Sequence, residues 1–70
     1  MATTIGVKKF RNYIRAQQKN GLTITDLTRE LVISRTYLYR YLRGQSLPKL
    51  VTAYRIKRLA DIEFTEWFVK

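Results

Sequence analysis

The amino-acid sequence predicts an all-α fold, a small bundle of about four to five short helices around one core. Apolar residues recur every three or four positions in successive segments, which is the period of a helix that buries one face. Gly21, Gly44 and Pro48 divide these segments, and they are residue types that end helices or begin them. The β-branched residues lie within the same helical period, so we expect no strand.

The first helix is predicted over residues 4–20. Its apolar stripe consists of Val7, Phe10, Ile14 and, at the edge, Tyr13. Its opposite face is basic and carries Lys8, Lys9, Arg11, Arg15 and Lys19. Gly21 follows and can adopt the left-handed conformation that ends a helix.

The second helix is predicted to begin at a capping box. The Thr23 hydroxyl can accept a hydrogen bond from the Asp26 amide, and the Asp26 carboxylate can accept one from Thr23 in return. The apolar stripe of this helix consists of Ile24, Leu27 and Leu31.

The third helix is predicted between an N-cap at Ser34 and a stop at Gly44. Its inward side consists of Leu38, Tyr41 and Leu42. Its outward side consists of Thr36, Tyr39, Arg40 and Arg43, with Arg35 at the tip. Tyr37 lies on the flank, where it either packs beside Tyr41 or places its hydroxyl on a phosphate.

A fourth helix is predicted from Pro48 to about Ala60, because proline suits the first turn of a helix. Its inward residues are expected to be Leu50, Ala53, Ile56 and Leu59. The last ten residues offer a cap at Thr65 and a closing apolar turn of Phe64, Trp67 and Phe68. Trp67 and Phe68 either complete the core or form an exposed patch for a second subunit.

Length and composition predict one domain over residues 1–70, with its central motif at about 23–43. The chain has no cysteine and no histidine, so we expect no disulfide and no metal site. It has no phosphate-binding loop and no pair of carboxylates in an apolar context, so we expect no enzyme, no cofactor and no small-molecule ligand. Without an apolar run of roughly 18 residues or a signal-peptide core, we expect no membrane partner and a cytoplasmic location.

The charge is strongly one-sided. Fourteen Lys and Arg residues oppose five Asp and Glu residues, which gives a net charge of +9. Thirteen of the basic residues but only two acidic residues lie within residues 1–60. Such an excess indicates a polyanionic partner. Solubility alone is the other interpretation, and an anionic membrane is disfavoured because the apolar faces are committed to a core.

Residues 22–48 carry a set of residue types at fixed spacing. The set consists of Leu22-Thr23, Leu27, Ile33-Ser34, Leu38, Tyr41, Gly44 and Pro48. In this order the segment resembles the Cro and phage-repressor helix-turn-helix family, the XRE type. The flanking helices extend the resemblance over most of the chain, and it implies a lambda-repressor-like DNA-binding fold.

Three positions depart from the family pattern. Ile24 replaces a glutamine that helps to anchor a phosphate, and Thr28 replaces an alanine pressed against the recognition helix. Val32 replaces a glycine that often has a positive φ. A β-branched residue would be strained there, so either the turn differs or Val32 is held against its preference.

The resemblance also implies roles for the outward residues. Base contacts are implied for Arg35, Thr36, Tyr39 and Arg40, and a guanidinium matches the O6 and N7 acceptors of guanine in the major groove. Phosphate contacts are expected from Arg43, Gln45, Ser46, Lys49, Tyr37, Lys8, Arg11 and Arg15. For the basic residues of the first helix, the other interpretation is that they only keep that helix soluble.

These features predict a sequence-specific transcriptional regulator that binds double-stranded DNA, a Cro-like repressor of a phage or mobile element. One recognition helix spans few base pairs, so we expect a homodimer on a palindromic operator. The candidate dimer surface consists of Phe64, Trp67 and Phe68, next to the end of the fourth helix. Two alternatives stay open, a protein-interaction module anchored on exposed aromatic residues and an excisionase-like factor that bends DNA.

Overall fold

The computed structural model describes residues 3–69, which form four α-helices and one 3₁₀ turn. The elements are α1 (Ile5–Lys19), α2 (Ile24–Leu31), α3 (Arg35–Arg43), α4 (Leu50–Ala60) and the C-terminal turn (Phe64–Trp67). These residues contain no strand, which confirms the all-α prediction. Within the same range, no helix combines the length and the apolar character that crossing a membrane requires.

Hydroxyl side chains cap the N-termini of the first three helices. Thr4, Thr23 and Ser34 each accept a hydrogen bond from the amide three residues further on, at 3.2 Å in every case. Asp26 completes a capping box, because its carboxylate accepts from the Thr23 amide at 2.9 Å and from the Thr23 hydroxyl at 3.0 Å. These two bonds lower the pKa of the Asp26 carboxyl, the backbone bond most. The predicted caps at Thr23 and Ser34 are confirmed.

Each of the four helices formed by residues 3–69 is followed by a residue with a left-handed backbone, namely Gly21, Val32, Gly44 or Asp61. At the first three positions, the amide of the next residue bonds back to the carbonyl five residues before it, at 2.9 to 3.1 Å. This bond satisfies a carbonyl that the helix leaves without a partner. Glycine adopts the conformation without strain, whereas Val32, with φ of 55°, does not.

One core lies between the helices. Its buried side chains are Val7, Phe10, Ile14, Leu27, Leu31, Leu38, Tyr41, Ile56, Ile62 and Trp67. Tyr13, Ile24 and Leu42 are partly buried against it. The apolar stripes predicted for the first three helices are therefore confirmed, and so is the burial of Tyr41.

The segment after α4 packs across the start of α1. Trp67 is fully buried there, with its ring 5.7 Å from the ring of Phe10 in an edge-to-face arrangement. The Ile5 amide, which has no partner within α1, donates to the Val69 carbonyl at 2.7 Å. A Cβ added at Gly6 would lie only 2.9 to 3.0 Å from atoms of Trp67. The absence of a side chain at Gly6 therefore lets the C-terminal turn approach α1.

The inward face of α4 differs from its prediction. Ala53 and Ile56 are buried as expected, together with Thr52. The prediction that Leu50 and Leu59 face inward is wrong, because these side chains are 69% and 44% exposed. At about 100° per residue, these two leucines fall on opposite flanks of the buried face.

Two predicted helix starts are also wrong. Helix α4 begins at Leu50 with Lys49 as its N-cap, and the buried Pro48 precedes the helix instead of opening it. Thr65 does not cap the C-terminal turn but lies within it. The start of the turn is capped by Glu66 instead, whose carboxylate accepts a hydrogen bond from the Glu63 amide at 2.9 Å.

Candidate nucleic-acid interface

The turn between α2 and α3 is formed through a strained Val32. Val32 is held against its conformational preference, and the turn does not adopt a different backbone. Its φ is 55° and its ψ is 49°, and its side chain is 64% exposed. The Ile33 amide bonds back to the Thr28 carbonyl at 3.1 Å, and the Ile33 side chain packs against the core. The turn thus has the backbone conformation that a glycine would give it, although its residue is a valine.

Helix α3 is held from behind and exposes its other side. Leu38 and Tyr41 bury one side of the helix in the core. The exposed residues of α3 are Arg35, Thr36, Tyr37, Tyr39, Arg40 and Arg43. We call Arg35, Thr36, Tyr39 and Arg40 the recognition face, and at about 100° per residue they span about 140° of the helix surface. Their predicted outward position is confirmed, and their base contacts stay a prediction.

Two tyrosines of α3 lie against two of its arginines. The guanidinium carbon of Arg40 is 5.5 Å from the centre of the Tyr37 ring, and that of Arg43 is 6.0 Å from the centre of the Tyr39 ring. At about 6 Å or less, a cation is attracted to the face of an aromatic ring. Tyr37 also packs beside Tyr41, with ring centroids 6.1 Å apart. Burial raises the pKa of Tyr41, and the neighbouring Tyr37 adds to that rise.

A hydrogen bond that no sequence pattern predicts joins the first residue of α3 to α2. Nη2 of Arg35 donates to Oγ1 of Thr25 at 2.6 Å. Ten residues separate this pair across a turn, and that spacing matches no periodic pattern. The one available signal was the departure at Ile24, which leaves the hydroxyl of the next residue as a polar group on the first turn of α2.

One basic residue of α1 also bonds to α3. Nε of Arg11 donates to the Leu42 carbonyl at 2.6 Å, in the last turn of α3. Carbonyls in the last turn have no partner within their helix, so Arg11 supplies one. Arg11 is half-buried, while Lys8 and Arg15 are exposed on α1. The structure thus gives Arg11 a role in packing, and the phosphate contacts of all three residues stay predictions.

The loop between α3 and α4 holds the other predicted phosphate contacts. Gln45 and Lys49 are exposed, and Ser46 is half-buried. The Gln45 amide bonds to the Arg40 carbonyl at 2.9 Å, which ties the start of the loop to α3. Pro48, at the other end of the loop, is buried.

Acidic side chains pair with two lysines of α1 and α4. Glu66 forms an ion pair with Lys9, and this contact is the main cause of a lowered pKa at Glu66. Glu63 pairs with Lys57 at 2.8 Å and raises the pKa of that lysine. Residues 31–60 contain no acidic side chain, so α3 and α4 contribute only positive charge. Among residues 3–69, no three His, Cys, Asp or Glu side chains group as a metal site would require.

One of the three residues predicted for the dimer surface is not exposed. Trp67 is fully buried, so its assignment to an exposed surface is wrong and its alternative place in the core is correct. The indole fits there because the facing residue of α1 is Gly6. Phe64 and Phe68 are 40% and 55% exposed, and their rings pack edge to face at 5.2 Å.

Comparison with protein families identifies the motif that contains α2 and α3. A family model described as helix-turn-helix matches residues 13–67, which is more than half of the chain. No match was found among curated proteins or among solved structures. The matched residues include the strained turn, the whole of α3 and the C-terminal turn. The chain therefore belongs to the XRE-type helix-turn-helix family of DNA-binding regulators.

Proposed function

We propose that this chain is a sequence-specific, Cro-like repressor of a phage or other mobile element, a single domain that occupies a palindromic operator as a homodimer. The observation that carries the proposal is the recognition face. It is exposed along one side of a helix that Leu38 and Tyr41 fix to the core from behind. A rigid helix with an exposed, basic and hydroxyl-bearing side matches the major groove in size and chemistry.

The recognition face offers the donors that base edges in the major groove require. A guanidinium can donate two parallel hydrogen bonds to guanine O6 and N7. Arg35 and Arg40 lie five residues apart, about 7.5 Å along the helix axis, which corresponds to about two base-pair steps. Thr36 and Tyr39 add hydroxyl groups, and their carbon atoms suit the methyl group of thymine.

Contacts to phosphates would orient α3 in the groove and supply the affinity that depends on salt. The proposed phosphate-contacting residues are Tyr37, Arg43, Gln45, Ser46, Lys49, Lys8, Arg11 and Arg15. The positive charge of α3 and α4 supports this assignment, because residues 31–60 contain no acid that would repel the duplex.

A symmetric dimer would give one small recognition helix a useful specificity. Two copies on a palindrome would place their recognition helices at half-sites about 34 Å apart along the duplex. Phe64 and Phe68, with the exposed Leu59 at the end of α4, form the proposed dimer surface. Occupying an operator requires only the DNA-binding surface, and repression is therefore the proposed mode of regulation.

The test is to select bound duplexes from a random pool and then to measure binding to the consensus at several salt concentrations. We expect a palindromic consensus, two copies of the chain per site by native mass analysis, and log K falling by about 0.9 per phosphate for each unit of log salt. The proposal would be contradicted if no duplex sequence were enriched from the pool, or if the affinity did not change with salt concentration.

The same experiment separates the alternatives. A salt-insensitive complex with an acidic protein, together with no preference among duplexes, would assign a protein-interaction function instead. Strong bending of attachment-site DNA without occupancy of a promoter would assign an excisionase-like function. One copy per site would remove the dimer and leave the sequence-specific binding in place.

A further inference from the structure

We infer that Thr25, a residue of α2 outside the recognition face, is a positioning residue that sets the base preference of Arg35. The inference rests on the proposed function, because it concerns the base pair that Arg35 contacts. Its basis is the 2.6 Å hydrogen bond from Nη2 of Arg35 to Oγ1 of Thr25. Among residues 3–69, this is the only side-chain hydrogen bond that joins α2 to α3.

Arg35 needs an external support more than the other arginines of α3 do. The guanidinium groups of Arg40 and Arg43 lie over tyrosine rings of their own helix. Arg35 is the first residue of α3, so no earlier turn of that helix lies beside its side chain. A free arginine side chain samples many rotamers, and fixing one of them before binding lowers the entropy lost on contact with a base.

Thr25 is itself held firmly enough to serve as that support. It lies in the first turn of α2, which begins at the capping box formed by Thr23 and Asp26. Leu27 of the same helix is fully buried, which fixes this turn of α2 to the core. The direction of the Arg35 guanidinium is therefore fixed relative to α2 as well as to α3.

The bond to Thr25 leaves Arg35 able to contact DNA. A guanidinium has five N–H donors, and the Thr25 hydroxyl engages Nη2 alone. Arg35 can thus keep this bond while its remaining N–H groups donate to a guanine. A different group at position 25 would let the guanidinium turn, and the base that Arg35 prefers would change although Arg35 itself does not.

The test uses Thr25→Val, which keeps the shape of the side chain and removes the hydroxyl, and Thr25→Ser, which restores a hydroxyl. Thr28→Val is the matched control, because it removes a hydroxyl from the same helix that bonds within α2 and not to Arg35. Arg35→Ala identifies the base pair that depends on Arg35. Each protein is measured on the selected consensus duplex and on its single-base variants.

We expect Thr25→Val to reduce discrimination at the Arg35-dependent base pair by about 3- to 10-fold, the worth of one hydrogen bond, and to leave the other positions unchanged. Thr25→Ser should restore that discrimination, Thr28→Val should not affect it, and Thr25→Val should add nothing to Arg35→Ala.

Two results would overturn the inference while the proposed function stands. In the first, Thr25→Val leaves discrimination at every position unchanged. In the second, Thr25→Val weakens binding equally on all duplexes and makes log K depend less steeply on log salt concentration. That result would mean that position 25 or Arg35 contacts a phosphate. If the unmodified protein enriches no consensus at all, the proposed function fails first and the inference fails with it.

Discussion

At the turn between α2 and α3, Val32 adopts a left-handed backbone that costs an L-residue roughly 1–2 kcal/mol. Gly21 and Gly44 occupy the equivalent positions at the ends of α1 and α3, where the same backward hydrogen bond is made. The valine side chain is mostly exposed, so its burial offsets little of that cost. The motif is thus preserved by the hydrogen bonds and packing around it, and not by the preference of its central residue.

Replacing Val32 with glycine should therefore stabilise the protein. We expect Val32→Gly to raise the free energy of unfolding by about 1 kcal/mol, which is the relieved strain less the extra freedom of glycine in the unfolded chain. Urea denaturation followed by circular dichroism measures this change. Val32→Ala is the control, because it keeps the Cβ and so most of the penalty. A Val32→Gly protein that is no more stable than Val32→Ala would show that the turn is not strained.

At the scale of elements, the sequence predicts α1 and α3 well because a hydroxyl residue precedes each helix and a glycine follows it. The start of α2 is equally clear from its capping box, whereas no glycine marks its end at Val32. Helix α4 has no such start, since Lys49 makes no side-chain cap. Its apolar residues recur at a strict spacing of three, which drifts by about 60° per step around a helix of 3.6 residues per turn. Only the middle pair, Ala53 and Ile56, stays in the core.

For the recognition helix, the sharpest prediction concerns Arg40. We expect Arg40→Ala to weaken binding to the consensus by about 1–3 kcal/mol and to relax the preference at one base pair. Arg58→Ala, on α4, removes the same charge from a residue outside the proposed DNA contacts. It should reduce affinity slightly on all sequences through long-range electrostatics alone. Isotherms on consensus and single-base variant duplexes measure both effects, and equal behaviour of the two variants would contradict base contact by Arg40.

The packing of the C-terminal turn on α1 gives a prediction at the same scale. Alanine is normally favoured over glycine inside a helix by about 1 kcal/mol. At Gly6, however, the new Cβ would meet the indole and backbone of Trp67 at 2.9 to 3.0 Å. We expect Gly6→Ala to lower the free energy of unfolding by about 1–3 kcal/mol, because backbone atoms must shift. Asn12→Ala, at an exposed position of α1, is the control and should not destabilise; a stabilising Gly6→Ala would mean that this packing is loose.

At the scale of the whole molecule, the exposed residues of the candidate site were predictable from the sequence. The hydrogen bonds that join α3 to the other helices were not. The outward residues of α3 follow from its apolar period, since Leu38 and Tyr41 define the opposite side. The bonds from Arg35 to Thr25 and from Arg11 to Leu42 join segments that come together only in the folded chain. Periodicity describes one helix at a time, so it carries no information about such pairs.

The stability of the folded chain should fall in acid. Hydrogen bonding within the capping box lowers the pKa of Asp26, and Lys9 lowers that of Glu66. A carboxyl whose pKa is lower in the folded state stabilises that state above its ordinary pKa of about 4, and this contribution is lost as pH falls through the lowered value. We expect the urea midpoint to drop between about pH 5 and pH 2. Asp26→Asn should flatten this drop, and an unchanged pH profile would remove Asp26 as a cause.

The 2.7 Å bond between the Ile5 amide and the Val69 carbonyl places residues from opposite ends of the sequence side by side. A short peptide linker that joins Thr3 to Val69 would close these residues into a ring around that hydrogen bond. Head-to-tail cyclisation restricts the denatured ensemble, and it is one of the ways in which small scaffolds are stabilised. A cyclised form would thus resist heat and exopeptidases while the recognition face kept its present shape.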